Sequence, residues 1–316
     1  MMLKKSELLD FYWSFAYKRQ QVFLHRISPT DVNLTLDPII SKYKFTNCYR
    51  SCDRVSQYLI KNIINSSEYS PQDTFFRILC FKLFNKIDTW EFLSSKLGEI
   101  SISTYKNNDY AALIDQYIAL KGKPYSGAYI MPSGKKEFGF ERKHRNNFAL
   151  LDLVLKNNLQ EKIWLNKTLD GIYCELIELP TLGPFLAYQF SVDVAYSEYS
   201  SAEESDFVVA GPGAIRGIKK CFTDIGNMTY QDVIKHMASV QDEEFERLGL
   251  PFNHLQNRKL QLIDCQNLFC EIDKYLRVLK PDLVVGNKRI KQLYRPSQNN
   301  IEYGFPKKWN CALPQI

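Results

Sequence analysis

The chain has 316 residues, of which 45% are hydrophobic and 24% charged, and its formal net charge is +6 at pH 7. That length and apolar content fit one large or two closely packed globular domains and exclude a disordered chain. The positive excess is too small to establish nucleic-acid binding alone, and no apolar run is long enough to span a membrane. The N-terminus also lacks a signal-type apolar core, so a cytoplasmic location is expected. The eight cysteines contain no C-x-x-C and no disulfide or cluster spacing, so reduced thiols, no metal and no cofactor are expected.

Apolar and aromatic residues at Leu8, Phe11, Tyr12, Phe15, Val22 and Phe23 predict a helix over 8–27. Its other face carries Lys18, Arg19, Gln20 and Gln21. Asp37-Pro38 reads as a cap and first-turn proline opening a second helix. The segment 45–54 then concentrates Asn47, Tyr49, Arg50, Asp53 and Arg54 between apolar stretches. These residues form either a surface ion pair or the lining of a polar pocket. Three further helices are expected over 72–85, 88–97 and 109–120, a Gly/Pro-marked loop over 125–134, and short helices over 147–157 and 161–169.

The stretch Leu179-Pro180-Thr181-Leu182-Gly183-Pro184-Phe185-Leu186-Ala187 reads as a tight turn followed by a helix from Pro184 to about Tyr196. Gly183 lets another backbone come close, and the free N–H groups of the helix start can face an anion such as a nucleic-acid phosphate. Leu182, Gly183 and Phe185 are therefore candidates for contact with a DNA backbone. The stretch resembles the hairpin of helix-hairpin-helix DNA glycosylases, L-P-G-x-G-x-x-A. Leu179, Pro180, Gly183 and Ala187 match that pattern, and Thr181 stands in place of its first glycine. In that superfamily a catalytic aspartate follows about twenty residues on, and Asp206 lies at a slightly longer interval. Asp193, at the end of the hairpin helix, is the substitute candidate. Phe185 occupies the place of the Schiff-base lysine of bifunctional members, so the resemblance implies a monofunctional enzyme.

Downstream, 199–205 is a polar loop. Gly211-Pro212-Gly213 reads as a backbone nest opening a helix that carries Arg216, Lys219 and Lys220, a set suited to phosphate contact. Helices are expected over 230–248 and 256–279. The second contains Gln266, Asn267, Glu271 and Lys274, either a polar network beside a site or a solvated stripe. Basic residues cluster at Lys135, Lys136, Arg142, Lys143 and Arg145, and again at Lys280, Lys288, Arg289, Lys291 and Arg295. Strand-like alternation is scarce, so the fold should be mainly α.

Three blocks together resemble one family. They are Phe45-Thr46-Asn47-x-Tyr49-Arg50-x-x-Asp53-Arg54, the block from Leu179 to Asp193 continuing to Asp206 and Gly211-Pro212-Gly213, and Asp264-x-Gln266-Asn267-x-x-Cys270-Glu271-x-Asp273-Lys274-Tyr275. The family is that of DNA base hypermodification proteins, which includes the α-glutamyl/putrescinyl thymine pyrophosphorylase clades and the helical domain of 5-hydroxymethyluridine DNA kinases. The resemblance implies a helix-hairpin-helix glycosylase-like bundle of about ten helices in two packed lobes. Residues 1–280 would form this domain, with the hairpin at about 177–196, and 281–316 a basic tail packed on its surface.

The activity this implies is a DNA glycosylase acting on a modified pyrimidine of phage-type DNA, with anti-phage defence as its expected role. Such an enzyme must flip the base out of the stack, at a cost of a few kcal/mol. Cleavage of the N-glycosidic bond then builds positive charge on the sugar, and the carboxylate of Asp206 would stabilise it, leaving an abasic site. Asn47, Tyr49, Arg50 and Asp53 would line the base pocket, with Gln266, Asn267 and Glu271 as its far wall. Gly211, Gly213, Arg216, Lys219 and Lys220 would join the hairpin in holding the backbone. Two other readings stay open: a transferase in which an amine displaces pyrophosphate from an activated hydroxymethyl-pyrimidine, and a non-catalytic DNA-binding module. A monomer is the expected state.

Overall fold

The computed structural model describes residues 3–28, 35–256, 258–283, 290, 292–295 and 301–314. Lys288, Arg289 and Lys291 of the second basic cluster lie outside these residues. The described chain is mainly helical, with sixteen α-helices and two short strands, Lys4–Lys5 and Phe222–Asp224, paired antiparallel. No helix among the described residues is long and apolar enough to cross a membrane.

The expected count of about ten helices is too low. Six of the helices span seven residues or fewer, such as Pro38–Lys42, Lys135–Phe138 and Leu159–Lys162. Apolar periodicity needs about two turns to show, so pieces this short are invisible to it. The segment expected as one helix over 161–169 is instead a short helix and a 3₁₀ turn, Ile163–Leu165. A new helix, Leu169–Ile177, begins where the Thr168 hydroxyl accepts the Gly171 amide at 3.2 Å.

The chain divides into two compact units. The first is built from Met1–Asp53, Val208–Tyr303 and Cys311–Ile316. Its core packs the first helix, Leu9–Ile27, against the helices Pro212–Cys221 and Leu262–Leu279. Tyr12 meets Phe269 with ring centroids 4.7 Å apart, and Phe15 meets both Phe45 and Tyr275 at 5.2 Å.

The second unit comprises Arg54–Phe207 and Gly304–Asn310. It is organised on the helix Pro71–Phe84, eleven of whose residues are buried. Its aromatics meet rings from several neighbours: Phe76 is tilted on Tyr105, Phe81 is edge-on to Trp90 and Phe84 stacks on Tyr125. The helix Pro184–Ala195 packs against this helix and against Leu169–Ile177. Residues 304–310 complete the unit: Gln57 and Gly304 exchange two hydrogen bonds, and Trp309 meets the Tyr196 ring edge-on.

Candidate functional site

In the first unit, the segment 45–53 closes on itself around one asparagine. The Asn47 amide N–H donates to Asp53 Oδ1 at 2.8 Å, its side-chain Nδ2 donates to the Cys52 carbonyl at 2.7 Å, and its Oδ1 accepts from Arg19 Nη2 at 2.8 Å. Phe45 anchors the start of the segment in the core, and the Cys48 thiol bonds the Ala16 carbonyl. From the last long helix, the buried Glu271 accepts the Thr46 amide at 3.4 Å and pairs with Lys274 at 2.5 Å. Arg19, Asn47, Asp53, Glu271 and Lys274 thus form one linked polar cluster. Within it, Arg19 Nη1 and Thr46 Oγ1 are buried without a hydrogen-bond partner among the described residues. Orphaned donors of this kind are costly, and a ligand edge can satisfy them.

The electrostatics of the cluster suit proton transfer. Burial pushes the Asp53 carboxyl up to about 6, against the opposing pull of the Asn47 amide and Arg19. Burial likewise lowers the Arg19 guanidinium. Desolvation works against the Lys274 ammonium, but the neighbouring Glu271 carboxylate holds it above its ordinary value. The cluster therefore offers a carboxylate that exchanges a proton near neutral pH beside an unsatisfied guanidinium donor.

The other expected pocket residues are placed differently. The Tyr49 hydroxyl is occupied by the Arg258 carbonyl at 2.7 Å and by His254 at 3.0 Å. Arg50 is buried, so it is no surface ion pair, and its amide bonds Asp264. Gln266 is fully buried with its amide on the Cys270 sulfur, and Asn267 is buried on the same helix. Arg19, which joins this cluster, was read only as part of its helix's polar face, whereas Lys274 was read as part of either a polar network beside a site or a solvated stripe. Arg19 stands in phase with Tyr12, Phe15 and Phe23 on the apolar stripe of its helix, and a charge on that stripe is the sequence signal that marks it.

A second arrangement lies on the same last helix. Gly217 of Pro212–Cys221 packs directly on the Phe269 backbone, where an added Cβ would come within 2.1 Å of the carbonyl oxygen. At Gly213 a Cβ would come within 2.9 Å of the Cys270 sulfur, so this glycine is committed to helix packing. The close approach carries Arg216 Nε to 3.1 Å and Lys220 Nζ to 2.9 Å from the carboxylate of Asp273, and Arg277 bonds the same group. Asp273 is only 1% exposed. Burial acts to raise it, yet Lys220 and Arg277 hold it below the usual carboxylate range. Lys219 stands exposed beside them, and Gly211 caps the helix start without a side chain.

In the second unit the turn before Pro184 holds Thr181 at φ +74°, the left-handed conformation that favours glycine. Leu182 is buried, with its amide on the Leu179 carbonyl. Nothing lies within 4 Å of where a Gly183 Cβ would point, and Phe185 stacks on Tyr129 with centroids 6.1 Å apart. Asp193 is wholly buried and paired at 3.0 Å with Lys82, itself almost fully buried. Asp206 is exposed, and its carboxylate accepts the Glu203 amide of its own turn at 3.1 Å. Among the described residues no group of three or more His, Cys, Asp or Glu side chains could hold a metal ion.

Residues 6–285 match the family described as "5-hmdU DNA kinase, helical domain". The chain is 27% identical over 289 residues to the 5-hmdU DNA kinase of Bacillus phage SP10, an alignment covering 85% of this chain and 45% of that protein. The chain thus spans under half the length of the curated relative it matches. No solved structure matches it. These findings overturn the expected DNA N-glycosylase activity: both the family and the relative carry the name of a kinase, which is a transferase and no hydrolase of glycosidic bonds. The role expected of Asp206 belonged to that hydrolysis.

Proposed function

Because the chain belongs to the family of 5-hmdU DNA kinase helical domains, we propose that it acts in hypermodification of DNA pyrimidines as a transferase-type domain. Its substrate is a 5-hydroxymethyl-pyrimidine in DNA whose hydroxymethyl oxygen already carries pyrophosphate, and an amine displaces that group. The new bond joins the amine nitrogen to the exocyclic methylene carbon. The bond broken joins that carbon to the pyrophosphate oxygen, and the ammonium proton passes to a carboxylate. The observation that carries this reading is the Arg19–Asn47–Asp53–Glu271 cluster. Its carboxylate is held at about 6 and so is mostly ionised at neutral pH, ready to take that proton. The unpartnered Arg19 Nη1 and Thr46 Oγ1 are donors for the carbonyl oxygens on a pyrimidine edge.

A base must leave the stack to reach such a cluster, and cations must hold the flanking phosphates while it does. The exposed Lys219 is one such cation in this reading. The hairpin of the second unit supports a helix-hairpin-helix relationship, since Thr181 adopts the glycine conformation and Gly183 opens onto free space ahead of Pro184.

The test supplies DNA carrying pyrophosphorylated 5-hydroxymethyluracil together with a diamine or an amino acid. Pyrophosphate release and nucleoside masses are then followed. Amine-substituted nucleoside in step with pyrophosphate is the expected result, and Asp53→Asn should reduce its formation at least a hundredfold at pH 7. Unchanged substrate with every amine supplied would refute the proposal.

A further inference from the structure

We infer that the three cations gathered on Asp273 form a subsite for a phosphate oxyanion. Arg216, Lys220 and Arg277 converge on one carboxylate, so the group carries two formal positive charges more than it neutralises. Lys220 and Arg277 are poorly exposed, with side-chain accessibilities of 17% and 14%, so water screens their repulsion only in part. An anion relieves that repulsion, and a phosphate group offers the charge and the oxygens to do so.

The geometry fits the same ligand. Arg216 donates to Asp273 through Nε and its side chain is 53% exposed, which leaves its terminal nitrogens for the paired oxygens of a phosphate. Lys220 adds a point charge beside it, and Lys219 extends the positive field into solvent. The backbone contact at Gly217 fixes the two helices against each other, so the cations stay gathered before a ligand arrives. Asp273 is the positioning residue: it touches no ligand but holds all three donors in one place.

The oxyanion has two possible sources, the pyrophosphate of an activated base or an internucleotide phosphate of the DNA. Only the first rests on the transferase reading. Calorimetric titration with inorganic pyrophosphate, and titration of an unmodified duplex at several salt concentrations, separate them. For the leaving-group source, pyrophosphate binds one to one, Arg216→Gln weakens it at least tenfold, Arg216→Lys recovers part of the loss, and duplex affinity is unchanged. For the backbone source, the duplex loses affinity and about one unit of salt slope in Arg216→Gln. Unaltered binding of both probes in a folded Arg216→Gln protein overturns the inference. Pyrophosphate binding without any amine transfer would leave the subsite standing and remove the proposed reaction.

Discussion

Asp53 closes a segment whose polar residues stood out in the sequence against their apolar flanks, and Asn47, Asp53 and Glu271 do come together. Its raised value has a consequence for stability. The folded chain holds the Asp53 proton more tightly than the unfolded chain does, so this group's contribution falls as pH rises from about 4 to about 6. At pH 7 the resulting destabilisation is on the order of 1–3 kcal/mol. Asp53→Asn keeps an oxygen for the Asn47 amide and removes the charge. It should therefore stabilise the protein by about 1 kcal/mol or more at pH 7, with little change at pH 4, while transfer activity is lost. Denaturant unfolding at the two pH values measures this, and equal stability of variant and parent at pH 7 would contradict it. Arg19 was passed over although it stands in phase with Tyr12, Phe15 and Phe23, because a helix's polar face and a charge turned inward differ by only one or two positions. Of the two readings of Arg50, the surface ion pair falls: three-residue spacing implies a shared helical face, whereas the chain there makes a 3₁₀ turn and the side chain is buried.

Long helices were legible to within a few residues: Leu9–Ile27 carries an apolar stripe over several turns, and Pro71–Phe84 and Pro184–Ala195 are apolar runs that each open on a first-turn proline. Two boundaries failed where local hydrogen bonding overrides the pattern. The helix expected from 256 begins at Leu262, because Gln256 takes a positive φ and Gln261 and Asp264 cap the true start reciprocally. The helix expected over 230–248 breaks at Val240 into Tyr230–Ser239 and Gln241–Arg247. Gly211-Pro212-Gly213 drew attention as a nest, whereas the packing of Gly213 and Gly217 depends on a partner helix about fifty residues away, which no local pattern reveals. Gly217→Ala tests that packing. The new methyl would overlap the Phe269 carbonyl and force the helices apart, at a cost of about 3 kcal/mol. Thermal unfolding should show a Tm several degrees lower, and an unshifted Tm would mean that the contact is looser than it stands here.

At the scale of the whole chain, the mainly helical character and the family were both legible, because they rest on composition and on several blocks read together. The reaction type was not. A glycosylase and a transferase both need an extruded base, a phosphate grip and a carboxylate, so the same residue types serve either chemistry. The segment 304–310 makes the clearest prediction at this scale. Removing it takes two hydrogen bonds from the buried Gln57 side chain, frees Asn65 from the Phe305 carbonyl and takes the Trp309 ring off Tyr196. A chain ending at Tyr303 should therefore lose about 3–5 kcal/mol in the second unit. Hydrogen exchange at the amides of Pro71–Phe84 reads this locally, and unaltered protection there would rule it out.

The threading of the chain through its two units has a further consequence, for synthesis on the ribosome. The helix Leu9–Ile27 emerges first, yet the helix it packs on, Leu262–Leu279, is translated some 250 residues later. At bacterial-type elongation rates that interval is roughly 12–50 seconds. Throughout it, Tyr12 lacks Phe269 and Phe15 lacks Tyr275, so this part of the apolar stripe is only partly covered and the nascent chain should be a client for chaperones until residue 279 has left the exit tunnel.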